Sequence, residues 1–343
     1  RLAASVTEED GTPVPPAEIQ YLVGDTALAE IRGDTLVGKA GGQTTLRVSG
    51  RSVTEVFDIW VGTVVRNRTI TAAETWDGTG NPYLLVGDIS VRNSAFGNDK
   101  VGPLLTMEAG TEVLFDAGAR LLIGEPVSTS GGYTGNLLVS GTSTSPVVMR
   151  SLSGVPGSWG GVVVRCVHAD YPVRLRNMEV RDAAVGVNLN KDRYCPWARA
   201  ELEGATIRGS SGTGLQANAS FVWEGGVAEG NGDWGIDSNG GADSTRVNGV
   251  LVRGNASGGI KNGFEGSNQL VDNGGPAIEM VANQAQYLDA QTEITGNAGN
   301  YVRLTSGDVT VDAMWPDQPA PYLLVGDISV RNSAFGNDKV GPL

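Results

Sequence analysis

At 343 residues the chain exceeds one average domain, and 50 glycines with only 6% aromatic residues mark a folded, turn-rich protein. The glycines have no three-residue period, which excludes collagen, and 40% hydrophobic content excludes disorder. A formal charge of −13 argues against nucleic acid as a partner, because phosphate binding needs a basic face, and no apolar run is long enough to cross a bilayer.

Residue 1 is Arg, which reads as a processed or excised piece whose signal peptide is already missing. Residues 1–62 hold short alternating runs between Gly and Pro: AEIQYLV, TALAEI, DTLVGKAGG, TTLRVSG and SVTEVFDIWVG. Period-2 alternation with turns at this spacing predicts a small antiparallel β-sandwich. Within it, ALAEIRGDTLVGKAGGQTTLRVSG resembles a bacterial immunoglobulin-like (BIG) domain, carried by Ile31, Gly33, Leu36, Gly38, Gly42, Leu46 and Val48. The resemblance implies a spacer or adhesive module and no active site.

From about residue 63 the texture changes. LLTM, TEVLF and ARLLI sit between Gly turns, followed by NLLVSGTSTSPVVMRS, SWGGVVVRCV and VRLRNMEVRDAAVGV. Then VRGNASGGI, LVDNGGPAI and ITGNAGNYV each place an aliphatic residue three positions before Asn and eight before a second aliphatic. AEGNGDWGI fits with Ala first, and IRGSSGTGL with Ser for Asn. The asparagines, Asn231, Asn255, Asn273 and Asn297, are 24, 18 and 24 positions apart, a recurrence that predicts stacked coils. Few windows offer apolar residues at helical spacing. The progression resembles the right-handed parallel β-helix superfamily of pectate lyase-like proteins, so the expected fold is all-β: a right-handed parallel β-helix over residues 63–320 behind a small Ig-like sandwich.

One coil cannot bury its apolar side alone, so neighbours stack into a continuous core. Val180, Ile207, Ala228, Val252, Leu270 and Ile294 are expected to point inward. The asparagines then fall at a corner, where they are expected to adopt the left-handed conformation and to hydrogen-bond from coil to coil as scaffold. Cys166 and Cys195, 29 positions apart, suit a disulfide between adjacent coils and equally two buried thiols.

PYLLVGDISVRNSAFGNDKVGPL occurs twice, at residues 82–104 and 321–343, without a difference. The simplest reading is that 321–343 begins a further β-helix unit. The rival reading is an assembly segment, in which the tail of one molecule replaces the first coil of another and gives head-to-tail self-association.

Many β-helix relatives cleave acidic polysaccharides. The lyases use carboxylates to hold Ca²⁺ and an Arg or Lys as base, and the glycosidases use clustered Asp residues in an inverting arrangement. Here the single His, His168, lies in CVHAD, and neither an Asp-Asp pair nor a Gly-His-Gly segment occurs. No catalytic residue is assigned and no cofactor is expected; for Ca²⁺ the weak candidates are Asp233, Asp237 and Asp243, with Asp182 and Asp192 also carboxylates on or after the corner. Outward neighbours of the inward row read Arg181, Arg208, Glu229, Arg253, Val271 and Thr295. They form either a charge ladder or, extended by Arg165, Arg174, Arg176 and Arg193, a strip that grips anionic sugars. Trp197, Trp223 and Trp234 lie in the middle coils, and an exposed indole can stack on a pyranose face. Trp234, Asp233, Glu229, Arg208, Arg253, Trp223 and Trp197 are therefore the carbohydrate-binding candidates. The expected function is a secreted or cell-surface bacterial protein of adhesin or structural type, non-enzymatic, with carbohydrate or another cell-surface ligand as partner. The alternatives are a polysaccharide lyase on the same scaffold and a self-assembling filament subunit.

Overall fold

The computed structural model describes residues 2–127, 131–191, 193, 195, 197–238, 245–262 and 266–331. Residues up to Val61 form antiparallel structure. Gly42–Gly50 pairs with both Gln20–Val23 and Val53–Val61, and Ala29–Arg32 pairs with Thr35–Gly38. The two tight hairpins turn at left-handed residues, Gly33 (φ 61°) and Arg51 (φ 48°). Val23, Ala29, Leu46 and Val48 make a small core of their own, separate from the main one.

From Thr63 onward the long sheet is parallel throughout, and its strands fall into three rows that follow one another around each coil. In the first row one inward column runs Trp76, Met107, Val139, Leu175, Leu202, Trp223 and Val247. The second row stacks Val113, Met149, Val180, Ile207, Ala228, Val252, Leu270 and Ile294, which includes every inward position expected from the sequence. The third stacks Ile89, Leu121, Val162, Val187, Leu215, Ile236, Ile260, Ile278 and Val302. All but Ile294 are buried, and together they form one continuous core. Each such aliphatic contributes about 1.5–3 kcal/mol by leaving water. The architecture is a right-handed parallel β-helix.

Corners explain much of the glycine. Between rows one and two the chain bends at Asn177, Gly204, Gly225 and Gly249, all left-handed. Between rows two and three the left-handed residues are Asp182, Gly209, Gly230, Gly254, Asp272 and Gly296. The ladder asparagines each follow one of these residues rather than being left-handed themselves, which corrects the sequence expectation. Relieved of the bend, each Asn side chain turns into the corner. Asn231 Nδ2 donates to Asn255 Oδ1 at 2.9 Å, Asn255 to Asn273 at 2.9 Å and Asn273 to Asn297 at 2.7 Å. The same oxygens accept backbone N–H groups from the coil before, and the amides also donate to backbone carbonyls such as Ala228 and Val252. A buried amide with both ends occupied carries little desolvation penalty, so the row is stable in a dry corner.

Cys166 and Cys195 are joined in a disulfide, with their Cα atoms 5.2 Å apart. The second copy of the duplicated segment enters as Tyr322–Val330, pairing in parallel with Gly299–Val309; residues 332–343 lie outside the described residues.

Candidate functional site

On the outer side of row two, strand register brings Arg181, Arg208, Glu229 and Arg253 into line. Glu179 accepts from Arg181 at 3.2 Å and pairs with Arg208, while Glu229 pairs with Arg253 at 2.7 Å. Arg208 thus turns to Glu179 rather than to its register neighbour Glu229. Arg174 and Arg176 pair with Glu201 and Glu203, both at 3.1 Å. A shallow groove of about 370 Å³ lies over Arg181, Asp182, Arg208, Gly209, Glu229 and Gly230. Burial holds the Asp182 carboxyl above its ordinary value, against the opposing pull of Arg181, Arg150 and Arg208. With the row's arginines matched to glutamates, it is a cross-strand charge ladder more than an anion-reading strip.

The three candidate tryptophans do not form a common platform. Trp223 is fully buried in the inward column of row one, so it offers no ring to a ligand. Trp234 is only 8% exposed. It opens a row-three strand in register with Gly258 of the next coil, and a Cβ on Gly258 would come within 2.4 Å of the indole. The ring fills the space that Gly258 leaves empty. Both placements correct the expectation of exposed indoles. Trp197 is 45% exposed and keeps an accessible face. Asp233, beside Trp234, accepts the Thr213 hydroxyl at 3.1 Å.

A different row gathers polar side chains. On the outer side of row three, Asn188, Gln216, Asp237, Lys261, Glu279 and Arg303 occupy consecutive register positions over six coils. Neighbouring strands lie about 4.8 Å apart, so this is a polar strip roughly 24 Å long. At one end Asn188, Asn190, Gln216 and Asn218 line a hollow of about 160 Å³, where Asn218 Nδ2 donates to Asn190 Oδ1 at 3.1 Å. At the other, Lys261 Nζ lies 4.0 Å from Asp237 and 3.9 Å from Glu279, which pairs with Arg303 at 2.7 Å. The Lys261 ammonium is 5.8 Å from the Trp234 ring centroid.

Asp237 is the unusual member. It is 7% exposed, and its Oδ1 has no hydrogen-bond partner among the described residues. Burial pushes its carboxyl above the ordinary range, with Lys261 pulling the other way and Asp233 and Glu279 adding to the rise. The charged neighbours of Asp237 are the Lys261 cation and the Asp233 and Glu279 carboxylates. Among the described residues no three His, Cys, Asp or Glu side chains are grouped to hold a metal ion. Asp243 and Asp192 lie outside the described residues. His168 Nδ1 accepts the Asp170 backbone N–H at 3.2 Å, a local turn contact.

Lys261, Glu279, Arg303, Asn188 and Gln216 were not among the sequence candidates. Their signal was present: from Leu215 onward each follows the second aliphatic residue of a repeat, and period-2 alternation turns that position outward.

No protein-family model matches the sequence, and no curated protein does. Among solved structures it is similar to a crystal structure of a mutant of the periplasmic alginate epimerase AlgG. That likeness covers 78% of this chain and 73% of the other at 11% identity, with a TM-score of 0.32.

Proposed function

We propose that the chain is a rigid, non-enzymatic binding rod of an exported bacterial protein, and that the row-three strip holds an elongated, hydroxyl-rich glycan. The observation that carries this reading is the unbroken register from Asn188 to Arg303. Amides that both donate and accept suit sugar hydroxyls, and the repeat of about 4.8 Å is close to the rise of one sugar unit in an extended chain. Alternating charges beyond Gln216 give the strip no net sign, which favours a neutral or mixed-charge glycan over a polyanion. The antiparallel N-terminal residues, with their BIG-like pattern, serve as the spacer that carries the rod. The disulfide supports an oxidising, extracytoplasmic location.

Calorimetric titration of soluble neutral and acidic glycans tests the reading. The expected result is a ligand whose affinity falls about tenfold or more in Gln216→Ala and Lys261→Ala, each removing one directional contact. An affinity unchanged in both variants removes the row-three strip from the binding surface.

A second reading, a polysaccharide-cleaving enzyme, draws on one observation: burial raises the proton affinity of the Asp237 carboxyl beside a lysine, an arrangement suited to proton transfer. Incubation with acidic polysaccharides and Ca²⁺ distinguishes it. Under the binding reading, ultraviolet absorbance from unsaturated products stays flat; a rise abolished by Asp237→Asn makes the chain a lyase.

A further inference from the structure

Two cations on the row-three strip keep donors to spare. Lys261 Nζ stands 4.0 Å from Asp237 and 3.9 Å from Glu279, near enough to feel both charges and too far to hydrogen-bond either. Its three N–H donors are therefore uncommitted among the described residues. Arg303 gives Nη1 to Glu279 at 2.7 Å, and the rest of its guanidinium fork has no partner among the described residues.

The cations also stand above the carboxylates between them. The Lys261 and Arg303 side chains are 32% and 39% exposed, whereas those of Asp237 and Glu279 are 10% and 13% exposed. A molecule lying in the strip meets the positive heads first. The carboxylates beneath hold those heads in place and add a negative field of their own to the groove.

Register fixes the spacing. Lys261 pairs with Glu279 and Glu279 with Arg303, so the two cations are two strands apart, about 10 Å. Two strands back from Lys261, across Asp237, stands Gln216, whose amide is also a donor. Donors therefore recur at every second strand, at Gln216, Lys261 and Arg303, and a carboxylate occupies each position between them.

We propose, resting on the glycan reading of the strip, that it selects a chain in which acidic sugars alternate with uncharged ones. With one sugar unit to each strand, acids two units apart fall on Gln216, Lys261 and Arg303, and uncharged units face Asp237 and Glu279. A chain with an acid on every unit sets carboxylates against Asp237 and Glu279, and that repulsion opposes binding. A chain with no acid offers the free donors of Lys261 and Arg303 only neutral acceptors, which make weaker hydrogen bonds than an anion does. The strip thus distinguishes glycans by the period of their charge.

Calorimetric titration with three hexasaccharides tests this pattern: a hyaluronan fragment, with an acid on alternate units; hexagalacturonate, with an acid on every unit; and chitohexaose, with none. The hyaluronan fragment is expected to bind about tenfold tighter than either of the others. Lys261→Gln and Arg303→Gln each cut that preference about fivefold, and Lys261→Arg retains it. Glu279→Gln raises the affinity for hexagalacturonate. Circular dichroism and thermal melting establish that each variant is folded. Hexagalacturonate or chitohexaose binding as tightly as the hyaluronan fragment, or a preference that survives both glutamine variants, overturns the alternation. If Gln216→Ala still weakens binding in that case, the strip remains a glycan surface. Binding of none of the three, or binding that Gln216→Ala leaves unchanged, overturns the glycan reading and the alternation together.

Discussion

Asn255 Oδ1 accepts both the backbone N–H of Asn231, at 3.1 Å, and its side-chain amide, at 2.9 Å, so one oxygen holds two donors of the coil before it. Asn255→Ala takes the acceptor from those donors, leaving Asn231 Nδ2 its 3.3 Å bond to the Ile207 carbonyl, and takes the Asn255 Nδ2 donor from the Ala228 carbonyl, all in a fully buried corner. Each orphaned group costs about 1–3 kcal/mol, and partial relaxation brings the expected loss to about 3 kcal/mol. Asn297→Ala, at the ladder's more exposed end, loses less. Urea midpoints measure both; equal losses at the two sites show that burial of the corner does not set the cost.

Trp234 and Trp197 separate packing from exposure. Removing the buried indole of Trp234 empties the space beside Gly258, and Trp234→Ala is expected to cost about 3 kcal/mol. Trp197→Ala, at a half-exposed ring, shifts the thermal midpoint little. Trp223→Ala behaves like Trp234→Ala. A Trp234→Ala chain that melts with the parent contradicts the packed placement of its ring.

Asp237 sets a pH dependence whose sign follows from burial. Its folded-state carboxyl binds a proton more tightly than in the unfolded chain, where the ordinary value is 3.8. The corresponding stability is fully present below that value and is lost as pH rises through the higher folded value. Asp237→Asn imitates the protonated form. The variant is therefore expected to be more stable than the parent near neutral pH, with the difference closing on acidification toward about pH 4. Urea denaturation at several pH values gives the answer. A variant less stable than the parent at neutral pH shows that the attraction to Lys261 outweighs burial.

The disulfide closes a loop of 29 residues, and Cys166→Ala with Cys195→Ala is expected to cost about 3 kcal/mol. A Cβ on Gly132 would fall 2.5 Å from Cys195 Sγ and 2.8 Å from Cys166 Sγ. The Glu125 backbone carbonyl would lie 2.5 Å from that Cβ as well, so Gly132→Ala is destabilising in the oxidised protein and keeps part of its cost in the cysteine-free background. Additive losses in the combined variant rule out contact with the sulfurs as the cause.

The Asn coils were legible because an inward aliphatic row and a buried amide row both repeat at coil spacing. Position along one coil was enough to place Val252 inside and Asn255 in the corner. It was not enough to place the left-handed residue, since Gly254 and Asp272 differ in type and share only a backbone angle. Nor could it place Trp234, whose burial depends on a missing side chain in the next coil, at Gly258. Burial of Trp223 is hidden for a related reason: the Asn repeat begins in row two, and the inward column of row one has no marker residue. The row-three strip was readable from Ile236, Ile260 and Ile278 by stepping one residue onward, yet its members differ so much in charge that only strand register shows them as one row.

From Asp182 onward coil length varies while the corner between rows two and three does not. From each left-handed residue to the next row-three strand the path is nearly constant, whereas the return from row three ranges from residues 218–220 to the stretch that includes Ala282–Tyr287. From Leu215 onward extra chain is therefore admitted at the return from row three, and the amides between rows two and three stay in line whatever is added there. A foreign peptide inserted between Ala217 and Phe221 would lengthen one coil without moving its neighbours. Grafts on successive coils would stand about 4.8 Å apart, making the rod a molecular ruler for spacing displayed epitopes.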